Sequence, residues 1–260
     1  MTDEKRPHCA TFTDLAIRTM AEVIDRHYVP PTDHTFIPVL VDRFAGIGGI
    51  HKIVDYLPWN ALTIGFELEP EWANQHPLNR VGNALHIDMA DESVDVEVFS
   101  PAFGNRMADN YDGKGKCKRC DGTKVVDGEP CPRCKGTGHD TSKRATYRIS
   151  LGRALSKDSG AALQWGHKYR VFHEDVLDDC WRTLRPGGLI VVDIKDHQRR
   201  KKWQGVPQWW ADAVEAKGFE PLEIATYPVE SMRFGANGDA RADEAWVIAA
   251  RKPTNPKDPA

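Results

Sequence analysis

Short apolar runs and helical segments alternate along most of the sequence between residues 39 and 250. Thr13 is the expected N-cap of the first helix, and Pro186, Gly187 and Gly188 are expected to end the fourth. Alternation of this kind implies a mostly parallel sheet with helices on both faces, in which ligands bind beyond the carboxyl ends of the strands. The predicted strands are 39–41, 61–66, 80–81, 94–99, 189–192, 219–227 and 245–250, and the predicted helices are 13–27, 50–57, 71–76, 167–184 and 208–217.

The composition restricts the class of protein. Of the 260 residues, 40% are hydrophobic and 28% are charged, which excludes a disordered or fibrous chain. No run reaches the roughly 18 apolar residues that span a bilayer, and residues 1–7 are charged, with no apolar stretch behind them. We therefore expect a cytoplasmic protein, without a secretory signal and without a membrane partner.

A glycine-rich turn follows the first predicted strand, at residues 42–49. Its G-x-G-G spacing differs from the G-x-G-x-x-G of pyrophosphate-binding loops, and it lacks the lysine of a phosphate-gripping loop, so NAD and ATP are poor candidates. Glu67 ends the second strand, 19 residues after Gly48, where a carboxylate can accept both hydroxyls of a ribose. These features favour a nucleoside without a pyrophosphate, although a tight turn in any α/β protein would use similar glycines.

The Phe-Ala-Gly-x-Gly-Gly sequence of this turn resembles the first motif of S-adenosylmethionine-dependent methyltransferases, especially those that act on DNA. In that family the turn lies against the methionine portion of the cofactor, and the acid after the second strand holds the ribose. Asn83 stands in Gly82-Asn83-Ala84 where the family has Asp, which contacts the adenine amino group, and Asp88 is the alternative for this contact. The resemblance implies cofactor-binding roles for Asp42, Phe44, Ala45, Gly46, Gly48, Glu67 and Asn83.

The peptide Ser100-Pro101-Ala102-Phe103 follows the fourth predicted strand. It is similar to the D/N/S-P-P-Y/F motif of methyltransferases that make N6-methyladenine or N4-methylcytosine. An aromatic amine is a poor nucleophile, so the Ser100 hydroxyl and the Pro101 carbonyl would accept its hydrogens and favour a tetrahedral nitrogen. Phe103 would stack on the extruded base. The resemblance thus implies catalytic roles for Ser100, Pro101 and Phe103.

Two departures from that motif leave the target base open. Ala102 replaces the second proline, which loosens the loop, and Ser100 is a weaker acceptor than a carboxylate. A serine is somewhat more typical of N4-cytosine enzymes, and a Ser-Pro turn after a strand is the structural alternative. C5-cytosine chemistry is disfavoured because it needs a Pro-Cys nucleophile after this strand, whereas the next cysteine is Cys117.

A wider resemblance covers residues 39–197 and links the chain to a phage and actinobacterial group of predicted DNA methylases. It implies that Tyr147, Arg148 and Arg153 either contact the substrate or hold the neighbouring loop closed. The segments that carry the resemblance are 104–109, 146–148, 151–153, 164–170, 184–188 and 193–197.

Four of the six cysteines form two C-x-x-C pairs, Cys117 with Cys120 and Cys131 with Cys134, separated by ten residues. This spacing is typical of a structural zinc site with four thiolates and no open position. Residues 112–144 contain only Val125 and Val126 as aliphatic residues, far too few for a core, so a metal would have to order them. The glycines after each pair resemble the zinc repeats of DnaJ-type chaperones.

The net charge is −3, but residues 113–148 contain ten Lys/Arg and four Asp/Glu, a local charge of +6. This charge favours contact with DNA phosphates. A protein-docking surface, a loop staple or a solvated loop would have a similar composition. A second basic run, Arg199, Arg200, Lys201 and Lys202, is another expected DNA contact, or a solvated loop.

These observations predict an α/β fold, namely a class I methyltransferase, Rossmann-like, mostly parallel seven-stranded sheet with helices on both faces and a small zinc-binding insert. The predicted activity is methyl transfer from S-adenosylmethionine to an exocyclic amino nitrogen of a DNA base, in a bacterial or phage-infected cell. An RNA base, a protein glutamine amide, or an inactive module that docks DNA or protein are the alternatives. The predicted parts are an N-terminal helix and connector (1–38), a catalytic domain (39–111 and 145–251), the insert (112–144) and a mobile tail (252–260).

Overall fold

The computed structural model describes residues 12–32, 35–104, 117, 119–134, 136, 138, 147, 151–199, 202–229 and 242–254. Arg148, Arg200 and Lys201 lie outside these residues, as do 14 of the 33 residues of the predicted insert 112–144.

Within the described residues, seven strands form one sheet. These strands are β1 (Val39–Asp42), β2 (Leu62–Glu67), β3 (Asn79–Val81), β4 (Val94–Phe99), β7 (Leu184–Ile194), β10 (Glu220–Pro228) and β11 (Glu244–Arg251), and two small hairpins consist of β5 (Val125–Val126) with β6 (Glu129–Pro130) and β8 (Gln198–Arg199) with β9 (Lys202–Trp203). The order of the strands in the sheet is β10-β11-β7-β4-β1-β2-β3. The central strands β3, β2, β1, β4 and β7 run parallel, and β11 pairs antiparallel with both β7 and β10. This architecture confirms the predicted mostly parallel seven-stranded α/β fold.

Helices cover both faces of the sheet, as predicted. The described α-helices are α1 (Asp14–His27), α2 (Pro70–Ala73), α3 (His167–Thr183) and α4 (Val206–Ala216), and 3₁₀ helices span Gly49–Asp55 and Gly160–Ala162. Successive residues of a strand point to opposite faces, so Val191 packs with α1 in one buried cluster, whereas Val192 packs with α3 and α4 in the other.

Helix α1 begins where the sequence predicts. The Thr13 side chain accepts a hydrogen bond from the Ala16 amide at 3.1 Å, which caps the first turn. The apolar face of α1, which includes Ile17, Met20 and Ile24, is buried on the sheet. This packing fixes one layer of the fold around the central strands.

The helix predicted after the glycine turn is a 3₁₀ helix, Gly49–Asp55, and its N-cap Gly48 lies in the left-handed region. One local prediction is wrong. The helix before residues 186–188 already ends at Thr183, because Leu184 is extended and begins β7. Residues 186–188 therefore lie inside a strand, where a Cβ on Gly188 would come within 2.9 Å of two carbonyl oxygens.

Among the described residues, no helix is both long enough and apolar enough to span a membrane.

The start of the predicted tail is packed against the sheet domain. Lys252, assigned to the tail by its sequence, is 7% exposed, and its ammonium donates to the carbonyls of Trp181 and Leu184 at 2.8 Å each. The first residue of the predicted tail is thus fixed against the sheet domain.

Candidate active site

A cleft that is open to solvent lies at the carboxyl ends of the central parallel strands. It brings together residues from both predicted motifs. The predicted site residues that line it are Phe44, Gly46, Glu67, Asn83 and Ser100. The cofactor-turn residues and the Ser100 peptide therefore face one space, at the edge of the sheet where ligands of parallel sheets bind.

The glycine turn needs its glycines for two reasons. Gly46 and Gly48 have φ angles of +53° and +86°, which favour glycine. A Cβ on Gly48 would also lie 2.6 Å from the His76 side chain. Gly46 lines the cleft, whereas Gly48 and the buried Ala45 do not. Gly48 therefore supports the conformation of the turn and does not face the cleft.

Asp42 supports the turn from beneath. It is 1% exposed, and its carboxylate accepts a hydrogen bond from the Phe44 amide at 2.7 Å. Burial raises the pKa of Asp42 well above its ordinary value, while the Phe44 amide opposes the rise. Its Oδ2 atom is buried and has no hydrogen-bond partner among the described residues. Asp42 thus positions the turn instead of lining the cleft.

Glu67 connects the second strand to the turn. Its carboxylate accepts hydrogen bonds from the amides of Gly46 and Glu69, each at 2.9 Å. Burial raises the pKa of Glu67 to about 7, against the effect of the two amides. A partly buried carboxylate at this place can accept hydroxyl hydrogens, and it accepts them best when it is ionised.

A histidine beneath the turn is a supporting residue that the sequence analysis missed. His51 is 6% exposed, and its two ring nitrogens contact Thr63 Oγ1 and Asn79 Oδ1, each at 2.8 Å. The amide nitrogen of the Asn79 side chain donates to the Gly46 carbonyl at 3.1 Å. This chain of contacts holds the turn against β2 and β3.

Asn83 lines the cleft, but its amide oxygen already accepts a hydrogen bond from the Leu85 amide at 3.0 Å. That bond fixes the loop after β3 and orients the side chain. The alternative residue, Asp88, is exposed and is not among the residues that line the cleft. Asn83 therefore remains the predicted contact on this loop.

Ser100 hydrogen-bonds to Asp193, which the sequence analysis had not assigned a role. Asp193 lies in β7 and is 5% exposed, and it also accepts a hydrogen bond from the Tyr227 hydroxyl at 2.7 Å. Burial raises the pKa of Asp193 to about 6, while the Tyr227 and Ser100 hydroxyls and the Lys195 charge oppose the rise. Because Asp193 accepts the hydroxyl hydrogen of Ser100, the Ser100 oxygen keeps its lone pairs for a ligand.

The other residues of the peptide lie beside the cleft. Ala102 lines it, whereas Pro101 is buried and Phe103 packs against the core cluster under the sheet. The Lys195 ammonium is 5.3 Å from the centre of the Phe103 ring. Phe103 is not among the described residues that line the cleft, so its stacking role stays a prediction.

Arg43, for which the sequence predicted no role, also lines the cleft. It is 1% exposed and forms ion pairs with Glu97 at 2.5 Å and Asp179 at 3.0 Å. These bonds join β1, β4 and α3 beneath the cleft. The two carboxylates compensate the charge of the buried Arg43 guanidinium within the fold. Arg43 therefore holds these elements together.

Arg153 holds the chain segment beside it, one of its two predicted roles. Its guanidinium contacts Glu71 at 2.7 and 2.6 Å and Glu69 at 2.8 Å. Glu69 is 1% exposed and also accepts hydrogen bonds from the amide and hydroxyl of Ser156, at 2.7 and 2.9 Å. Tyr147 lines the cleft and lies near Trp72, with ring centres 5.6 Å apart.

The four cysteines of the two C-x-x-C pairs are buried and lie together; we call them the cysteine cluster. Their sulfur atoms are all within 4.8 Å of one another, and two pairs are separated by 3.8 and 3.7 Å. Four thiolates in a tetrahedron around zinc, with bonds of about 2.3 Å, would be separated by about 3.8 Å. The Gly138 amide donates to the Cys134 sulfur at 3.3 Å. The arrangement fits a four-thiolate metal site.

The second basic run contributes exposed cations on the β8–β9 hairpin. Arg199 and Lys202 are exposed, and the Arg199 guanidinium contacts the Trp165 carbonyl at 3.5 Å. Trp203, on the same hairpin, is 51% exposed. The hairpin follows β7, so it extends from the same edge of the sheet as Ser100.

No protein family and no curated protein matches the sequence of the chain. Solved structures with a similar fold include an S-adenosylmethionine-dependent methyltransferase from Methanosarcina mazei, with 11% identity, a TM-score of 0.46, and coverage of 87% of this chain and 99% of that chain. A geranyl diphosphate methyltransferase has 14% identity and a TM-score of 0.47, with coverage of 90% and 77%. The cyclase SpnF has 12% identity and a TM-score of 0.48, with coverage of 96% and 86%. Similarities at this level carry no argument about the activity of the chain.

Proposed function

We propose that the chain transfers a methyl group from S-adenosylmethionine to an exocyclic amino nitrogen of a DNA base, adenine N6 or cytosine N4. The observation that carries this proposal is the common cleft, in which Glu67 and the glycine turn face the same space as Ser100. Methyl transfer needs a donor site and an acceptor site within reach of each other, because much of the rate comes from positioning.

The turn end of the cleft would hold the cofactor. Gly46 allows close approach of the ligand to the backbone, Phe44 offers an apolar surface, and Glu67 would accept the ribose hydroxyls. Asn83 would contact the adenine through its side-chain amide. When bound, S-adenosylmethionine supplies an electrophilic methyl group on a sulfonium, and the protein supplies its orientation.

The Ser100 end would hold the amine. The Ser100 oxygen, whose hydrogen is directed to Asp193, would accept one hydrogen of the amino group, and the Pro101 carbonyl would accept the other. Accepting both hydrogens draws the nitrogen lone pair out of conjugation with the ring, which makes the nitrogen a better nucleophile. Asp193 thereby compensates for a serine where a carboxylate is common in similar motifs. Phe103 would stack on the extruded base.

We also propose that the cysteine cluster binds one structural zinc ion and that the basic residues around it contact DNA. The sulfur separations support the metal, and four thiolates leave no position for a substrate. The predicted insert begins 12 residues after Ser100 and carries a local positive charge. Arg199 and Lys202 on the β8–β9 hairpin would add contacts to phosphates near the same edge.

Transfer of tritium from labelled S-adenosylmethionine to DNA, RNA or protein tests the acceptor. The proposal predicts that label enters DNA, and that Ser100→Ala lowers the rate about 100- to 1,000-fold, as expected when one preorganised hydrogen bond is lost. Ser93→Ala is the matched control, because Ser93 precedes β4 at its opposite end and bonds to the Ala90 carbonyl. This control variant should retain the wild-type rate.

Three results would contradict the proposal. Label found only in RNA would identify an RNA base as the acceptor, and label found only in protein would favour a glutamine amide. Binding of the cofactor without any transfer would indicate an inactive module that docks DNA or protein through its insert.

A further inference from the structure

One side of the cleft is formed by a chain segment in which only Arg153 has a predicted role. Residues 158–161 line the cleft. They follow the insert in sequence, and the 3₁₀ turn Gly160–Ala162 begins within them. We call residues 153–161 the strap.

The strap is fixed at its start to the residues that follow β2. Arg153 binds both Glu69 and Glu71, and the amide and hydroxyl of Ser156 both donate to Glu69. Glu69 is almost completely buried, so losing these partners would leave a carboxylate without compensation in a site that excludes water. The anchor is therefore strong for a contact at the protein surface.

The strap is also fixed at its far end. A Cβ on Gly160 would lie 2.6 Å from the Phe172 ring, so the backbone packs directly on that ring, and Phe172 itself lines the cleft. Between the two anchors, Ser159 is 8% exposed and its amide bonds to the Ser156 carbonyl at 3.1 Å. The strap thus presents a fixed backbone to the cleft.

The anchor is connected to the residue predicted to hold the ribose. Glu69 makes both contacts: its side chain holds the strap, and its backbone amide donates to the Glu67 carboxylate at 2.9 Å. Movement of the strap would therefore disturb Glu67 as well as one wall of the cleft. By contrast, the hydrogen bonds of Ser100, to Asp193, do not involve the strap.

We infer that the strap is a wall of the cofactor site and that Arg153 is a positioning residue that sets cofactor affinity through Glu69 and Ser156. The inference rests on the proposed function, because the ligand it concerns is the nucleoside end of S-adenosylmethionine. It predicts an effect on cofactor binding and none on the chemical step, since the amine end has separate supports.

The test measures S-adenosylhomocysteine binding by calorimetry and the kinetics of methyl transfer for the full chain. Arg153→Gln should raise the Kd by up to about ten-fold, because the buried Glu69 carboxylate would lose its charged partner, and should raise the KM for the cofactor with kcat unchanged. Arg153→Lys should restore part of the affinity. Gly160→Ala, which displaces the strap from Phe172, should also weaken binding.

Arg26→Gln is the matched control. Arg26 forms the same two-pronged contact with Glu223 and has a similar side-chain exposure, 47% against 41% for Arg153, but it lies on α1, outside the residues that line the cleft. It should bind the cofactor like the wild type. An unchanged Kd in both Arg153→Gln and Gly160→Ala, with normal wild-type binding, would overturn the inference alone. Absence of binding by the wild-type protein would overturn the proposed function together with it.

Discussion

The seven-stranded sheet and the cysteine cluster keep their structures by different means. The sheet has a buried apolar cluster on each face, with α1 on one side and α3 and α4 on the other. The core around the cysteines consists of four cysteine side chains with Val126 packed against them. Burial of apolar surface can account for the order of the sheet, whereas the cysteine cluster needs another source of free energy.

The backbone supports the same contrast. Four non-glycine residues have positive φ angles among the described residues, and three of them, Asp121, Lys124 and Asp127, lie between the two cysteine pairs. Conformations of this kind cost energy and persist only where the surroundings enforce them. The segment between the cysteine pairs has almost no apolar core, so we expect a metal bound by the cysteine cluster to hold its backbone in these conformations.

Metal removal has the largest expected effect and separates the two regions directly. Zinc bound to four thiolates contributes about 10–16 kcal/mol in small zinc modules. A strong chelator should therefore remove one zinc per chain and abolish hydrogen-exchange protection in residues 117–138, while the sheet amides stay protected. Cys131→Ser should have the same effect.

Cys180→Ala is the control for this experiment, because Cys180 is buried in the sheet core, away from the cysteine cluster. It should keep one zinc per chain. If the amides of residues 117–138 remain protected after the metal is lost, the contrast between the two regions is wrong.

A cavity in the sheet core should produce the complementary result. Trp210 is fully buried, its ring centre lies 6.1 Å from that of Phe99, and its indole donates to the Tyr169 hydroxyl at 3.2 Å. Trp210→Ala should lower the free energy of unfolding by about 3–5 kcal/mol, measured by denaturant titration, with the zinc content unchanged. Trp203→Ala should change it by less than about 0.5 kcal/mol, because Trp203 is half exposed. Loss of zinc in Trp210→Ala would show that the two regions depend on each other.

A smaller effect concerns the pH dependence of cofactor binding at the sheet. The pKa of Glu67 is raised to about 7, chiefly by burial, and the ionised carboxylate is the better acceptor for ribose hydroxyls. The affinity for S-adenosylhomocysteine should therefore rise about ten-fold between pH 6 and pH 8, as the ionised fraction grows. Calorimetry on Glu67→Gln should show weaker binding without this rise.

Asp88→Asn should keep the pH dependence, since Asp88 does not line the cleft. Chelation of the metal should keep it as well, if the sheet binds the cofactor independently of the cysteine cluster. A rise of equal size in Glu67→Gln would assign the titration to another group.

Local patterns were sufficient to predict the strands and most helices. Strand β4 matches its predicted bounds of 94–99, because Val94, Val96 and Val98 alternate with charged residues, a pattern that favours a strand. A helix was predicted after Gly48 but its 3₁₀ type was not, since composition does not distinguish it from an α-helix. The extension of β7 through Gly188 was missed because Pro and Gly usually interrupt strands.

The site was only partly predictable for a related reason. Glycine turns and the Ser100 peptide are continuous in sequence, so they can be identified from residue types. Asp193 reaches Ser100 from β7, Tyr227 reaches Asp193 from β10, and Arg153 reaches Glu71 across 82 residues of sequence. Such partners depend on the tertiary fold, and no local signal identifies them, although Asp193 lies within a segment that resembles a group of predicted DNA methylases.

The most direct test of the account is mass spectrometry of nucleosides from unmethylated DNA incubated with the protein and S-adenosylmethionine. We expect N6-methyladenine or N4-methylcytosine to accumulate at the same rate with the wild-type chain and with Ser93→Ala, and about 100- to 1,000-fold more slowly with Ser100→Ala. DNA that remains unmodified, or that contains only C5-methylcytosine, would contradict the assignment of Ser100 and the cleft to amino-group methylation.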